Sequence, residues 1–222
     1  LNEGEVHLKE GPMMASPDIF NINVIGKGGH GAVPQESIDP IVITCQIVNS
    51  LQTIVSRKIN PLDPVVITCG RIQGGDCHNV IPNEVELEGT IRTFNEETRN
   101  WVPKVMEDLI RGITTSQGAA YEFKYEPKYP ALINDKYMTS FAKESLKKVV
   151  GEENVFDLKE PNMGGEDFAY FAQKVPSAFI FVGIANNKSE PVIHHNPYFK
   201  WDSKNVGILA QGLSQIAIDY LK

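Results

Sequence analysis

Basic residues are in short supply in this 222-residue chain: 21 Lys and Arg stand against 28 Asp and Glu, a formal net charge of −7. No Lys/Arg run or basic stripe offsets that balance, which argues against a phosphate-backbone ligand and so against nucleic acid as a partner. Cysteine is scarcer still. Cys45, Cys69 and Cys77 are odd in number and lack CxxC spacing. Neither a disulfide framework nor a metal knuckle is available, and reduced thiols of a cytoplasmic protein are expected. No apolar run approaches the ~18 residues of a membrane span. Repeats and low-complexity segments are missing too. What remains, 41% hydrophobic and 22% charged residues, is the balance of a globular protein able to bury a core, in one elaborated domain or two. Leu1 stands where an initiator Met would, and the opening reads as a loop; we therefore expect the chain to start in mid-protein, which leaves a leader segment open.

The pattern along the chain divides it in two. "DIFNINVIGK" (18–27) alternates and ends in glycines, as a strand running into a turn does. Ile43, Ile47, Val48, Leu51, Ile54 and Val55 then recur at helical spacing behind Pro40, which suits a first turn. "PVVITCGRI" and "NVIPNEVELEGTIRTF" read as a hairpin pair. A helix over about 96–118, with Trp101, Val105, Leu109 and Ile113 on its apolar face, and a strand "AAYEFKYEP" follow. The order βαββαβ predicts a ferredoxin-like α+β unit over residues 18–127. Past it come a helix from Lys136 to Val150, a loop with "EPNMGGEDF", and "SAFIFVGIA", which predicts a strand buried on both faces of a sheet. A last helix spans about Ser203 to Leu221. These few elements are too little for an independent α/β domain and call for a partner sheet.

Several stretches could carry chemistry. "VIHHNPYF" sets His194 and His195 before an Asn-Pro turn; one of two adjacent imidazoles can meet a given ion, but a site needs three or four ligands, and a solvated loop is the plainer reading. "GKGGHGAVP" surrounds His30 with glycines in neither GxGxxG nor P-loop order, so a phosphate cradle is a weak reading against a simple turn. Cys77 and His78 are adjacent, yet a nucleophile and its base must meet in space, not in sequence. "MGGEDFAYF" puts Glu166 and Asp167 at an expected helix N-terminus, as a cap or beside an anion-binding turn. Arg92, late on a strand, reads by itself as a surface or ion-paired residue.

Together, "EGPMMASPDIFNINVIGKGGHGAVPQ", "SIDPIVI", "GGDCHNVIPNEVELEGTIRTF", "MGGEDFAYF" and "HHNPYF" resemble, in order and spacing, the M20 family of metal-dependent amidohydrolases and peptidases. The closest branch looks like the hippurate hydrolases, N-acyl-amino-acid amidohydrolases and auxin-conjugate hydrolases. The resemblance covers the whole chain but only the later part of such an enzyme. It implies an end of a first catalytic segment or linker over 1–17, a lid (dimerisation) domain over 18–127, and over 128–222 the C-terminal part of a split, mixed-sheet α/β catalytic domain. The family's earlier ligand motifs are not found here, and the context of His7 does not match one.

The resemblance also implies roles. His195 matches the C-terminal metal ligand and His194 its unliganded neighbour. His30 matches the lid histidine that polarises the scissile carbonyl, often in the partner subunit's site. Asn79 and Arg92 match positions that grip the substrate, and Gly164, Gly165 and Glu166 match a loop at the cleft. Cys77, His78 and Gln35 depart from the residues common at those places, which bears on the pocket. The implied enzyme uses two divalent ions, zinc or else manganese, cobalt or nickel, of which this chain would supply at most one ligand. It hydrolyses an N-acyl amino acid or short peptide and forms a homodimer through the lid. The chain alone is then expected to be inactive. A non-catalytic lid, dimerisation or ligand-binding module is the alternative of another class; a metallocarboxypeptidase or an N-acetyl-diaminopimelate-type deacetylase is the alternative within the family.

Overall fold

A computed structural model describes residues 1–185 and 195–222. The chain forms two compact units, one of residues 15–131 with 163–166, the other of 1–14, 132–162 and 167–222. Two short strands come first, β1 (Val6–Leu8) and β2 (Gly11–Met14), and then the elements of the first unit: β3 (Ser16–Ile25), β4 (Gly29–His30) and α1 (Pro40–Thr53). They continue with β5 (Val65–Gln73), β6 (Val80–Ile81), β7 (Glu84–Thr93), α2 (Glu96–Ser116) and β8 (Ala120–Glu126).

The alternation of β3 sends Phe20, Ile22 and Val24 fully into the core, and its odd positions to the other face. Asp39 caps α1, accepting from the N–H groups of Ile41 (2.9 Å) and Val42 (3.4 Å), with Pro40 in the first turn. Ile43, Ile47 and Leu51 face the sheet, and a π-helical turn (Ile54–Lys58) buries Ile54 as well. Asn95 caps α2 in the same way. The four long strands pair antiparallel in the order β5-β7-β3-β8, and both helices share one core on one face. This is the ferredoxin-like α+β arrangement expected from the sequence.

Two details differ from expectation. The second hairpin segment breaks at Pro82: β6 leaves the main sheet to pair with β4, Gly29 opposite Ile81 and His30 opposite Val80. On α2 the buried stripe is Arg99, Val102, Met106, Ile110 and Thr114, while Trp101 is 39% exposed. The expected and observed stripes have the same spacing and differ by one residue, about 100° of rotation. Arg99 decides between them, because its guanidinium pairs with the buried Asp18 only from the 99–102–106 side.

The other unit adds β9 (Leu132–Asn134), α3 (Lys136–Val150), β10 (Val155–Asp157), α4 (Ala169–Ala172), β11 (Phe181–Val182) and α5 (Lys204–Tyr220). Its three-stranded sheet is mixed, with β1 parallel to β10 and antiparallel to β11; β2 pairs with β9. Asp135 caps α3, which ends at Gly151 in the left-handed region (φ 86°). The apolar run 177–185 supplies only the two-residue β11, and Phe179–Val182 are half-buried, because β1 offers just three residues to pair with. The acids of "GGED" precede α4 without capping it: its N-cap is Phe168, and the helix is a single turn. No described helix is long and apolar enough to cross a membrane.

Candidate functional site

The glycine turn between β3 and α1 is a packing device. A Cβ at Gly26 would stand 2.2 Å from the oxygen of Ile38, at Gly28 2.8 Å from that of Ile81, and at Gly29 2.2 Å from Ser37 Oγ. Its amides are spent as well: Gly26 N–H on Asn83 O (2.8 Å), Lys27 N–H on Ile38 O (2.9 Å), Gly28 N–H on Asn83 Oδ1 (3.0 Å) and Gly31 N–H on Asn79 O (2.8 Å). The turn therefore offers no nest for a phosphate. It instead sets His30 beside Asn79.

His30 is exposed, and its Nδ1 accepts from Ala32 N–H at 3.0 Å. In a neutral imidazole that bond places the proton on Nε2, so the outward group is a donor. The exposed Asn79 takes the Cys77 thiol on its Oδ1 at 3.0 Å, which leaves its NH2 as the group to offer. Among the described residues Cys77 and His78 share no hydrogen bond, so the thiol and imidazole form no catalytic pair. A cleft of about 440 Å³ adjoins this ribbon, lined by Gly31, Asp39, Ile41, Asp76, Cys77 and His78 among others.

A second group sits at the opposite end of the β3–β7 ladder. Arg92, on the uncovered face of β7, donates from Nε to Met163 O at 3.0 Å, and from Nη1 to Thr90 Oγ1 and to Ile91 O at 3.2 Å. Nη2 has no partner among the described residues. Met163–Glu166 belongs to this unit although the chain on both sides of it belongs to the other. Gly165 explains how the segment lies so close: a Cβ there would stand 2.3 Å from the Pro17 ring. Pro17 is opposite Arg92 in the β3–β7 register, whereas Ile25, at the His30 end, is opposite Glu84. The structure thus sets His30 beside Asn79, and ties Arg92 to Met163 at the start of the segment that carries Gly165 and Glu166, but keeps the two groups apart by about eight residue steps, roughly 25 Å along the strands.

His195 lies in the other unit. It is exposed, with φ 62°, the left-handed region that few non-glycine residues enter. The Asn-Pro turn follows directly, Asn196 accepting from Tyr198 N–H on Oδ1 (2.9 Å) and from Phe199 N–H on its carbonyl (2.9 Å). His194 falls outside the described residues. No three His, Cys, Asp or Glu residues gather as a metal set among the described residues. An exposed imidazole on a held turn fits one ligand position and no more.

A family model described as peptidase family M20/M25/M40 matches residues 4–216. The chain belongs to that family. It is 39% identical to the N-acetylcysteine deacetylase of Bacillus subtilis (strain 168) over 222 residues, covering 100% of this chain and 57% of that protein. It is 49% identical to the N-acyl-L-amino acid amidohydrolase of Geobacillus stearothermophilus over 134 residues, 60% of this chain and 36% of that protein. The YXEP protein of Bacillus subtilis, a dinuclear metal-binding peptidase of the M20 family, superposes with a TM-score of 0.76 at 33% identity, over 100% of this chain and 54% of that one. This M20 chain thus spans little more than half the length of the two relatives it matches end to end.

What sequence reasoning missed lies beneath Arg92. Asp18 is wholly buried and bonded to Arg99, Tyr125 and the Lys128 N–H. The signal was present: an acid in phase with Phe20, Ile22 and Val24 has to be buried, and a buried carboxylate needs partners.

Proposed function

We propose that this chain carries the lid, the substrate grip and one metal ligand of a metal-dependent amidohydrolase acting on N-acyl amino acids or short peptides. Arg92 carries the reading. It is a cation fixed through Nε and Nη1 on an uncovered sheet face, with Nη2 free among the described residues, in a chain akin to an N-acetylcysteine deacetylase and an N-acyl-L-amino acid amidohydrolase. An N-acyl amino acid ends in the carboxylate that a guanidinium fork takes best. Residues 18–127 act as the lid in this reading, and Gly165 and Glu166 line the cleft on the segment that Arg92 holds. The outward Nε2–H of His30 and the Asn79 amide donate to the scissile carbonyl oxygen, where charge develops. In the full-length enzyme, Arg92→Ala is expected to lower kcat/KM for N-acyl amino acids by about 10- to 100-fold, and to leave the corresponding amino-acid amides nearly unaffected. Steady-state kinetics on paired substrates decides it; equal losses on both would refute the carboxylate grip.

Two divalent ions, zinc or else manganese, cobalt or nickel, supply Lewis-acid activation of water at neutral pH when bound. His195 would hold one of them, and we assign the other ligands to the part of the enzyme this chain does not span. His195→Ala in the full-length enzyme should lower the metal content by one ion per active site, read by elemental analysis. Unchanged stoichiometry and activity would refute the ligand. The 222 residues alone should turn over no substrate.

The same reading includes a homodimer formed through the lid. The β8 edge of its sheet is guarded by exposed Glu122, Lys124 and Glu126, as solitary edges are. The β5 edge is less guarded, with Val66 37% and Ile72 53% exposed and Ile41 and Val42 of α1 exposed too. We assign the subunit contact to β5.

A further inference from the structure

The hydroxyl of Thr90, one of the groups that hold Arg92, stands between two groups that matter. It donates to the main-chain oxygen of Asp18 at 2.8 Å and accepts from Arg92 Nη1. A hydroxyl has one proton. With that proton spent on Asp18, the oxygen can only accept from Arg92, so both bonds have a fixed direction. Asp18 in turn is immobilised: its carboxylate takes Arg99 Nε (2.7 Å) and Nη2 (2.8 Å) and the Lys128 N–H (2.8 Å), inside the core.

The geometry points to Thr90 as a positioning residue that orients the ligand-binding guanidinium of Arg92. The other anchors are weaker guides. Met163 O lies on a loop, and Ile91 O shares Nη1 at 3.2 Å. Thr90 and the longer Ile91 contact both tie Nη1 to the rigid strand β7, but Thr90 is the side-chain anchor, itself fixed by its bond to Asp18 O, and the pair leaves Nη2 to meet the ligand. A guanidinium held in one plane favours a carboxylate of matching orientation and loses less side-chain freedom on binding. This inference rests on the proposal that Arg92 grips the substrate carboxylate.

Thr90→Val keeps shape and strand preference and deletes the hydroxyl, whereas Thr90→Ser keeps the hydroxyl. In the full-length enzyme, Thr90→Val is expected to raise KM for an N-acyl amino acid by about five- to tenfold with kcat nearly unchanged, and Thr90→Ser to restore it. In the 222-residue chain, the Arg92 Nε–H resonance in nitrogen-15 NMR should lose order in Thr90→Val and regain it in Thr90→Ser. An ordered Arg92 in Thr90→Val, with or without a change in KM, overturns the inference, as does failure of serine to rescue. Loss of Arg92 order with KM unmoved in both Thr90→Val and Arg92→Ala supports the positioning and overturns the carboxylate grip instead.

Discussion

Asp18→Ala is expected to destabilise the protein by about 3–5 kcal/mol, read as a shift in the urea unfolding midpoint of the 222-residue chain. The carboxylate is fully buried, and the Arg99 side chain that meets it is only 9% exposed. Truncating Asp18 leaves that guanidinium buried without its counter-charge, and strands the Tyr125 hydroxyl and the Lys128 N–H as well. Replacing both charges, Asp18→Leu with Arg99→Met, should be far milder than Asp18→Ala, because nothing charged is then left in the core. A double variant as unstable as the single one would show that the loss comes from packing and the stranded Tyr125 and Lys128 groups, and not from the orphaned charge.

The same cluster sets a pH window. Burial, the largest single influence on Asp18, pushes its carboxyl up, but the bonds from Arg99, Tyr125 and the Lys128 N–H together outweigh it and hold it below the usual range. A carboxylate depressed by folding stabilises the protein above its unfolded value, about 3.9, and that contribution is lost as the pH falls toward the folded value. Tyr125 moves the opposite way: burial, then its bond to Asp18, raises its hydroxyl. Its contribution is present below the unfolded value, about 10, and is lost as the pH rises beyond it. The urea midpoint should therefore hold between about pH 5 and 9 and fall on both sides. In the Asp18→Leu, Arg99→Met variant the acid limb should flatten, while the alkaline limb, which burial of Tyr125 still drives, should only weaken; an acid limb as steep as in the wild type would place that titration elsewhere.

This cluster also marks where the sequence was and was not legible. Period-two alternation located β3 and β7, and helical spacing located α1 and α2, since these patterns answer to one buried face each. The rotation of α2 was not legible, because the stripe beginning at Trp101 and the one beginning at Arg99 are both periodic, and an ion pair 81 residues away in sequence chooses between them. β11 was overread for a related reason: an apolar run measures the wish to be buried, but strand length is set by the partner, here the three-residue β1. The glycines around His30 could be recognised as a turn, but only the close approach of Ile38, Ile81 and Ser37 shows that they serve packing. Arg92 looked solitary because its anchor Met163 lies 71 residues away.

A mixture of full-length His30→Ala and Arg92→Ala subunits, each impaired alone, is expected to regain roughly a quarter of wild-type kcat/KM for an N-acyl amino acid after the subunits reassort. The geometry within one copy leads to this. Arg92 sits opposite Pro17 at one end of the β3–β7 ladder, and His30 lies beyond Ile25 at the other. The ends are roughly 25 Å apart, whereas the carboxylate and scissile carbonyl of an N-acyl amino acid are separated by about one residue of chain, near 3.5 Å. No single copy can bring both residues to one substrate. If both act on it, Arg92 must work with His30 of the partner subunit. Random pairing then yields about half mixed dimers, each with one intact and one doubly defective site. Losing the His30 donor should cost on the order of 10²- to 10³-fold in kcat, and losing Arg92 about 10- to 100-fold in kcat/KM, so with substrate below KM the recovery stands above both parents. Ile72→Lys, placed on both subunits to repel the β5 edges, should shift the enzyme toward monomer in sedimentation and abolish the recovery. A mixture no more active than the sum of its parents, in samples shown to have exchanged subunits, would separate the roles of His30 and Arg92 and remove the shared site.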